Sequence, residues 1–314
     1  MQKKKLRGGI VKLTNKYNAP AALVNLIESL QYNSTPKSFG ATTLNNAPQY
    51  AQLYRRHENE LEQDVCEATA TLFGTVTHSW LEKYRAENTL AEIKFKEEIK
   101  DGYYLSGVCD VYDSINHKLI DWKTGTVWKV KFADFDDWHR QAMIYTYLLE
   151  KSNYKVNKVE FWCFMKDWSR KELRLARRNG DNSYPEAAWY CYEFYPTEQE
   201  REEIKQYINE WFDSYIALED KEDSELGYCG DEKTWYSGDS YAIYQMKSNG
   251  SKPTKATRVF KKMEEASEWV GRQPKGAVFT IEKRTGEHKK CLDWCPVCKY
   301  CKFYKENVEG KEGM

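Results

Sequence analysis

The chain has 314 residues, enough for one large domain or about two average ones, so a buried core is within its reach. Lysine plus arginine and aspartate plus glutamate both number 48, which excludes a whole-molecule field that would steer the protein toward a polyanion. No apolar run approaches the length of a membrane span, and the first residues are not followed by a stretch of signal-peptide length, so a cytoplasmic protein that enters no membrane is expected.

Any contact with an anionic polymer must then come from local basic patches. The candidates are Lys3-Lys4-Lys5, Arg55-Arg56-His57, Lys129 with Lys131, Arg174 with Arg177 and Arg178, and Lys252 through Lys262. In chain order, helix signals at Pro20–Leu30 precede a loop over Asn33–Gly40. A polar helix is predicted over Gln49–Leu61, with Arg55, Arg56 and His57 projecting from it. Helix is expected to continue over Glu62–Arg85, with Gly74 and His78 four apart on one face and Glu67 a further residue turned toward the same place. His78 is a candidate metal ligand or phosphate contact.

The stretch Tyr103–Gly125 reads as two strands joined by a turn at Ser114-Ile115-Asn116-His117, because aromatic and β-branched residues alternate with polar ones on either side of it. Alternation puts Asp121 and Lys123 on one face of the second strand, and Ile120 and Trp122 on the other, into a core. Asp110 lies on the first strand, where hairpin pairing brings it beside Asp121. Two carboxylates that close repel unless a cation lies between them, and oxygen donors suit Mg²⁺ or Mn²⁺. A lysine beside them can orient a metal-bound water. That combination is the apparatus for hydrolysing a phosphodiester.

Downstream, Trp138–Leu149 is a strong helix with Gln141 and Tyr145 stacked at i and i+4. Lys158–Lys166 reads as a strand buried on both faces, Arg170–Asn182 as a basic and then turn-rich stretch, and Trp189–Phe194 as an edge strand. Thr197 and Glu200 form a capping box that opens a helix to about Leu218, whose apolar stripe runs from Ile204 to Ile216. The acidic run Glu219–Glu225 ends this part of the chain.

Cys291, Cys295, Cys298 and Cys301 place four thiols in eleven residues, and Cys229 stands upstream of them. Such spacing lets successive sulfurs turn onto one ion or cluster, and zinc and an iron-sulfur cluster both accept four thiolates. Cys66, Cys109, Cys163 and Cys191 are scattered and read as buried neutral thiols. Between Cys229 and Cys291, strands are expected at Tyr241–Met246, Ala256–Phe260 and Ala277–Lys283, with a helix over Lys262–Gly271.

The order Gly-x-x-x-His, Gly-Val-x-Asp, Asp-x-Lys-Thr-Gly, Gln-x-x-x-Tyr resembles the RecB-type branch of the PD-(D/E)XK nuclease superfamily, and within it phage-encoded exonucleases and the iron-sulfur nucleases of CRISPR adaptation. The resemblance implies an α/β fold: a central mixed sheet flanked by helices, with a small C-terminal cysteine-clasped α+β module. The expected division is a helical region over 1–60, the nuclease core over 61–225 and the cysteine module over 226–314. It further implies Mg²⁺ or Mn²⁺ held by Asp110, Asp121, His78 and the carbonyl of Trp122, with Lys123 orienting water and Gln141 and Tyr145 holding the DNA strand. Arg55, Arg56 and His57 would meet phosphates at the cleft. By the phage-type pattern Cys229, Cys291, Cys295 and Cys301 carry the cofactor, with Cys298 as the alternative to Cys229, and a 4Fe-4S iron-sulfur cluster is favoured over zinc. The expected function is a metal-dependent DNA exonuclease of phage-type replication, recombination or repair in an infected host cell, working with a helicase or recombinase. The alternatives are a non-cleaving DNA-binding accessory protein and an endonuclease or CRISPR-adaptation trimming nuclease of the same fold.

Overall fold

The computed structural model describes residues 11–31 and 35–310, so the candidate patch Lys3-Lys4-Lys5 and part of the loop expected over Asn33–Gly40 lie outside the described residues. The chain divides into two compact units, one ending at Lys221 and one beginning at Glu222. Among the described residues no helix is long and apolar enough to cross a membrane.

The first unit runs β1 (Lys12–Thr14), α1 (Ala21–Leu30), β2 (Ser38–Gly40), α2 (Pro48–His57), β3 (Glu62–Asp64), α3 (Thr69–Lys83), β4 (Thr89–Lys100), β5 (Tyr103–Asp113), β6 (Lys118–Gly125), α4 (Val127–Lys131), α5 (Asp136–Lys151), β7 (Lys158–Met165), α6 (Arg170–Arg178), β8 (Trp189–Phe194) and α7 (Glu198–Ala217). Its main sheet is mixed, in the order β2-β5-β6-β7-β8, with β4 along the other edge of β5. The pairs β2–β5 and β6–β7 are parallel, and the others are antiparallel. A parallel pair needs a long crossover, which the α4–α5 segment supplies between β6 and β7. This is the α/β architecture the sequence implies.

The hairpin forms as expected because its turn is fixed locally. The Asp113 carboxylate accepts hydrogen bonds from the backbone N–H groups of Ile115 and Asn116 and from the Asn116 amide, and His117 takes the left-handed conformation that closes the turn. Helix α5 buries residues on nearly every side, from Trp138 to Leu149, which marks a helix enclosed by neighbours rather than one facing water. It packs against α7, whose capping box is present and whose Ile204, Ile208, Trp211, Phe212 and Tyr215 point into the core. Phe39 of β2 meets Trp211, Phe212 and Tyr215, tying the N-terminal segment to the same core.

Several expectations are corrected. Helix does not run through Glu62–Arg85: Glu62–Asp64 pairs in parallel with Lys12–Thr14, and α3 begins at Thr69. The cause is Asp64, whose carboxylate gathers the Thr14 hydroxyl and the N–H groups of Lys16 and Cys66 and so turns the chain before the helix. Arg170–Arg178 is a helix, capped by the Ser169 hydroxyl, rather than only a basic stretch. Thr89–Lys100 is a twelve-residue strand that was not anticipated. Cys66 is exposed and Cys191 half-buried, whereas Cys109 and Cys163 are buried.

The second unit contains α8 (Asp231–Thr234), β9 (Ser240–Gln245), β10 (Arg258–Phe260), α9 (Met263–Gly271), β11 (Phe279–Arg284), α10 (Lys289–Asp293) and α11 (Lys302–Asn307). Its three strands form an antiparallel sheet in the order β10-β9-β11, with α9 packed on it through Trp269 against Phe260 and Phe279.

Candidate active site

The site arises where β5 loses a neighbour. One edge of β5 pairs with β2 at Tyr104–Ser106 and with β6 from Val111 onward, and between Gly107 and Asp110 that edge has no strand partner among the described residues. Asp110 stands in this fork. Its Oδ2 accepts the Trp122 N–H at 2.9 Å, closing the mouth of the fork, and its Oδ1 lies 3.3 Å from His78 Nδ1 on α3. The imidazole loses basicity by burial, but its hydrogen bond to Asp110 and the charges of Asp110 and Asp121 outweigh this and hold it above its ordinary value.

Asp121, on the adjacent strand, is 2% exposed. Its face of β6 is the buried one, while Ile120 and Trp122, expected in a core, are only half-buried. Oδ2 of Asp121 has no directed hydrogen bond among the described residues, although Lys123 Nζ is 2.5 Å away. Burial pushes the Asp121 carboxyl up to about 6; Lys123 opposes that rise and the charge of Asp110 adds to it.

From Lys123 the contacts continue into α5. Lys123 Nζ donates to Gln141 Oε1 at 2.8 Å, and Gln141 Nε2 donates to the Tyr145 hydroxyl at 3.2 Å. Gln141 and Tyr145 are each 7% exposed, and burial, with the charge of Asp121, keeps the Tyr145 phenol protonated far above its usual range. The i, i+4 pair thus reaches inward and holds the lysine. Gly107 makes this approach possible, since a Cβ there would lie 2.9 Å from the Tyr145 ring and 3.0 Å from Leu148; Gly125 is as tightly placed against β7, where a Cβ would lie 2.8 Å from Cys163 Sγ.

Other expected residues are occupied elsewhere. Arg55 donates to the carbonyls of Thr35 and Ser38 and covers the Phe39 ring. Arg56 donates to the carbonyls of Leu218 and Glu219 at the end of α7, and His57 Nδ1 lies 2.9 Å from Glu60. Glu67 accepts the Asp64 N–H in the turn before α3. One acidic residue near the site was missed. Glu92 of β4 occupies the register position opposite Asp110, between the pairs Ala91–Val111 and Ile93–Cys109, with a left-handed φ of 51°. Burial and the charges of Asp110 and Glu82 raise its carboxyl. The alternation Ile93, Phe95 within Thr89–Lys100 was the available signal for this strand.

The donor set of two carboxylates and an imidazole suits a hard divalent cation, and the buried Asp121 carboxylate, whose Oδ2 has the Lys123 ammonium beside it, fits one. Among the described residues no three His, Cys, Asp or Glu side chains are drawn to coordination spacing, at the fork or at the cysteines. In the second unit, Tyr228 stacks on Phe303 at 4.3 Å and thereby brings neighbouring Cys229 toward the C-terminal run. Burial pushes Cys295 up to about 12, with Cys291, Cys298 and Cys229 adding to the effect, and Cys291 up to about 11, with Cys301 and Cys298 adding.

No family model matches the chain, and neither does any curated protein. Among solved structures it is similar to SSO0001, at 17% identity over 63% of this chain and 85% of that one, with a TM-score of 0.43. It is similar to a phage related exonuclease from Haemophilus somnus 129PT, at 13% identity over 62% and 81% of the two chains, with a TM-score of 0.27. It is also similar to LHK-Exo, solved in complex with dAMP, at 10% identity over 56% and 91%, with a TM-score of 0.33.

Proposed function

We propose that the protein is a divalent-metal-dependent deoxyribonuclease that hydrolyses phosphodiester bonds from DNA ends. The observation that carries this reading is the convergence of Asp110, Asp121 and Lys123 at the β5–β6 fork, with Lys123 fixed between Asp121 and Gln141. Asp110, Asp121, His78 and the Trp122 carbonyl would hold Mg²⁺ or Mn²⁺, which when bound supplies Lewis-acid stabilisation of charge on the phosphate and leaving oxygen. Lys123 Nζ orients the attacking water by a hydrogen bond to its oxygen. The new P–O bond forms as the bond to the departing sugar oxygen breaks; the attacking water gives up one proton to solvent, and the departing oxygen takes one up from solvent. Gln141 and Tyr145 act as positioning residues by fixing Nζ, and their burial favours this over a grip on the strand.

Cys229, Cys291, Cys295 and Cys301, with Cys298 as the alternative to Cys229, are proposed to hold an iron-sulfur cluster or zinc that stabilises the second unit. Four thiols within eleven residues, with Cys229 upstream of them, support this. A helicase or recombinase remains part of the proposed setting.

The test compares end-labelled linear DNA with closed-circular DNA in Mg²⁺, Mn²⁺ or EDTA, beside Asp121→Ala. Degradation of the linear form alone, abolished by EDTA and by the substitution, is the expected result. Cutting of the circle identifies an endonuclease instead. Binding without cutting in every metal identifies a DNA-binding protein that does not cleave.

A further inference from the structure

Immediately after the strand that carries Asp121 and Lys123, helix α4 and the residue that ends it hold two large rings out to solvent. Trp128 is 58% exposed and Phe132 69% exposed. They stand four residues apart, and so on one face, with ring centroids 5.7 Å apart and planes inclined by only 19°. Lys131 Nζ lies 5.4 Å from the Trp128 centroid. The helix beneath them is anchored. Val127 is buried and its N–H donates to Asp167 at 2.8 Å, while the Gly125 carbonyl accepts the Lys166 N–H. The pair is also tied to the site through core rings: Lys123 lies against Phe161, Phe161 against Trp138, and Trp138 under Lys129.

Two exposed, parallel rings on a fixed support form a stacking surface, and the flat partner they suit is an unpaired nucleobase, since duplex bases hide their faces in the helix stack. The lysines beside them do not make the surface a phosphate site. Lys129 is paired with Asp137 and Lys131 with Asp181, both at 2.6 Å, so little uncompensated charge remains there for a backbone. Attraction must come mainly from the ring faces.

We propose that Trp128 and Phe132 form a platform on which unpaired bases of the substrate strand stack, giving the enzyme a preference for single-stranded DNA or for ends with a single-stranded extension. The proposal rests on the nuclease reading for the identity of its ligand. It assigns the strand contact to α4 rather than to Gln141 and Tyr145.

The experiment measures affinity of the full chain in EDTA, by fluorescence anisotropy, for a labelled oligothymidylate and for a labelled blunt-ended duplex. Trp128→Ala should weaken oligothymidylate binding about tenfold and duplex binding less than about twofold. Trp128→Phe should keep most of the affinity. Because the contact is stacking, the loss should be equal at low and high salt, whereas loss of a phosphate contact would flatten the salt dependence. Unchanged affinity for the oligothymidylate, an equal loss on duplex, or a loss that shrinks with salt overturns the platform; the first of these would leave the rings to a protein partner. Cleavage in Mg²⁺ is scored separately. A nuclease with unaltered oligothymidylate affinity sinks only the platform, and a protein that binds as expected but cuts nothing sinks only the nuclease reading.

Discussion

Asp121 is where function and stability oppose each other. Its carboxyl is held above its unfolded value by burial, so the ionised form destabilises the metal-free fold. The sign follows: the cost is absent below the unfolded value near 4, grows as pH rises, and is fully present above about 6. Asp121→Asn should therefore abolish cleavage yet raise stability at neutral pH in EDTA, by about 1–3 kcal/mol, with the gain vanishing toward pH 4. Thermal melts of both proteins across that range check this, and a lower melting temperature for the variant at pH 7 would refute it. At Gln141 the two candidate roles separate kinetically. If it positions Lys123, Gln141→Leu should lower kcat about 10- to 100-fold with little change in KM. If it grips the strand, KM should rise instead. The charged triad itself was legible in the sequence, because strand alternation and one hairpin suffice to bring Asp110, Asp121 and Lys123 together. The inward course of Gln141 and Tyr145 was not, since helical spacing names a face without saying what that face meets.

Among the elements, β5 and α5 fit only because Gly107 has no side chain. Gly107→Ala would drive a Cβ against Tyr145 and Leu148. The expected cost is about 1–3 kcal/mol, measured by denaturant unfolding, with a loss of activity as Tyr145 is pushed off Gln141. A fully active variant of unchanged stability would show that the close approach is not needed. The turn between β3 and α3 has an acid-sensitive support. The Asp64 carboxylate accepts from the Lys16 N–H, the Thr14 hydroxyl and the Cys66 N–H, and these three hydrogen bonds, those from Lys16 and Thr14 foremost, hold the carboxyl far below the usual carboxylate range. Its contribution is present above the unfolded value near 4 and is lost as pH falls toward the lower folded value. Asp64→Asn should lower the melting temperature at pH 7 and make the fall in stability on acidification shallower; a parallel pH profile for the two proteins would count against it. This turn escaped sequence reading because the residues from Glu62 onward also suit a helix, and the competing partner, Lys12–Thr14, lies some fifty positions upstream.

For the whole molecule, the ligand role of the cysteines predicts that Cys295→Ala loses bound metal, read by elemental analysis, together with thermal stability. Retention of both would end that reading. What the sequence by itself determined is local: the hairpin and its turn, the capped and striped α7, the helix α5, and the strands and helix between Cys229 and Cys291. Each follows from periodicity, capping or turn chemistry within about twenty residues, where the competing conformations are few. Only the tertiary structure decided that β2 lies beside the first half of β5 and β6 beside the second, leaving the fork that Asp110 fills. Only there did Arg55 and Arg56 become braces for carbonyls, and Glu92 a neighbour of Asp110. These outcomes depend on which distant segments meet. That is settled by the packing of the whole core, through many small contacts that no local stretch of sequence contains.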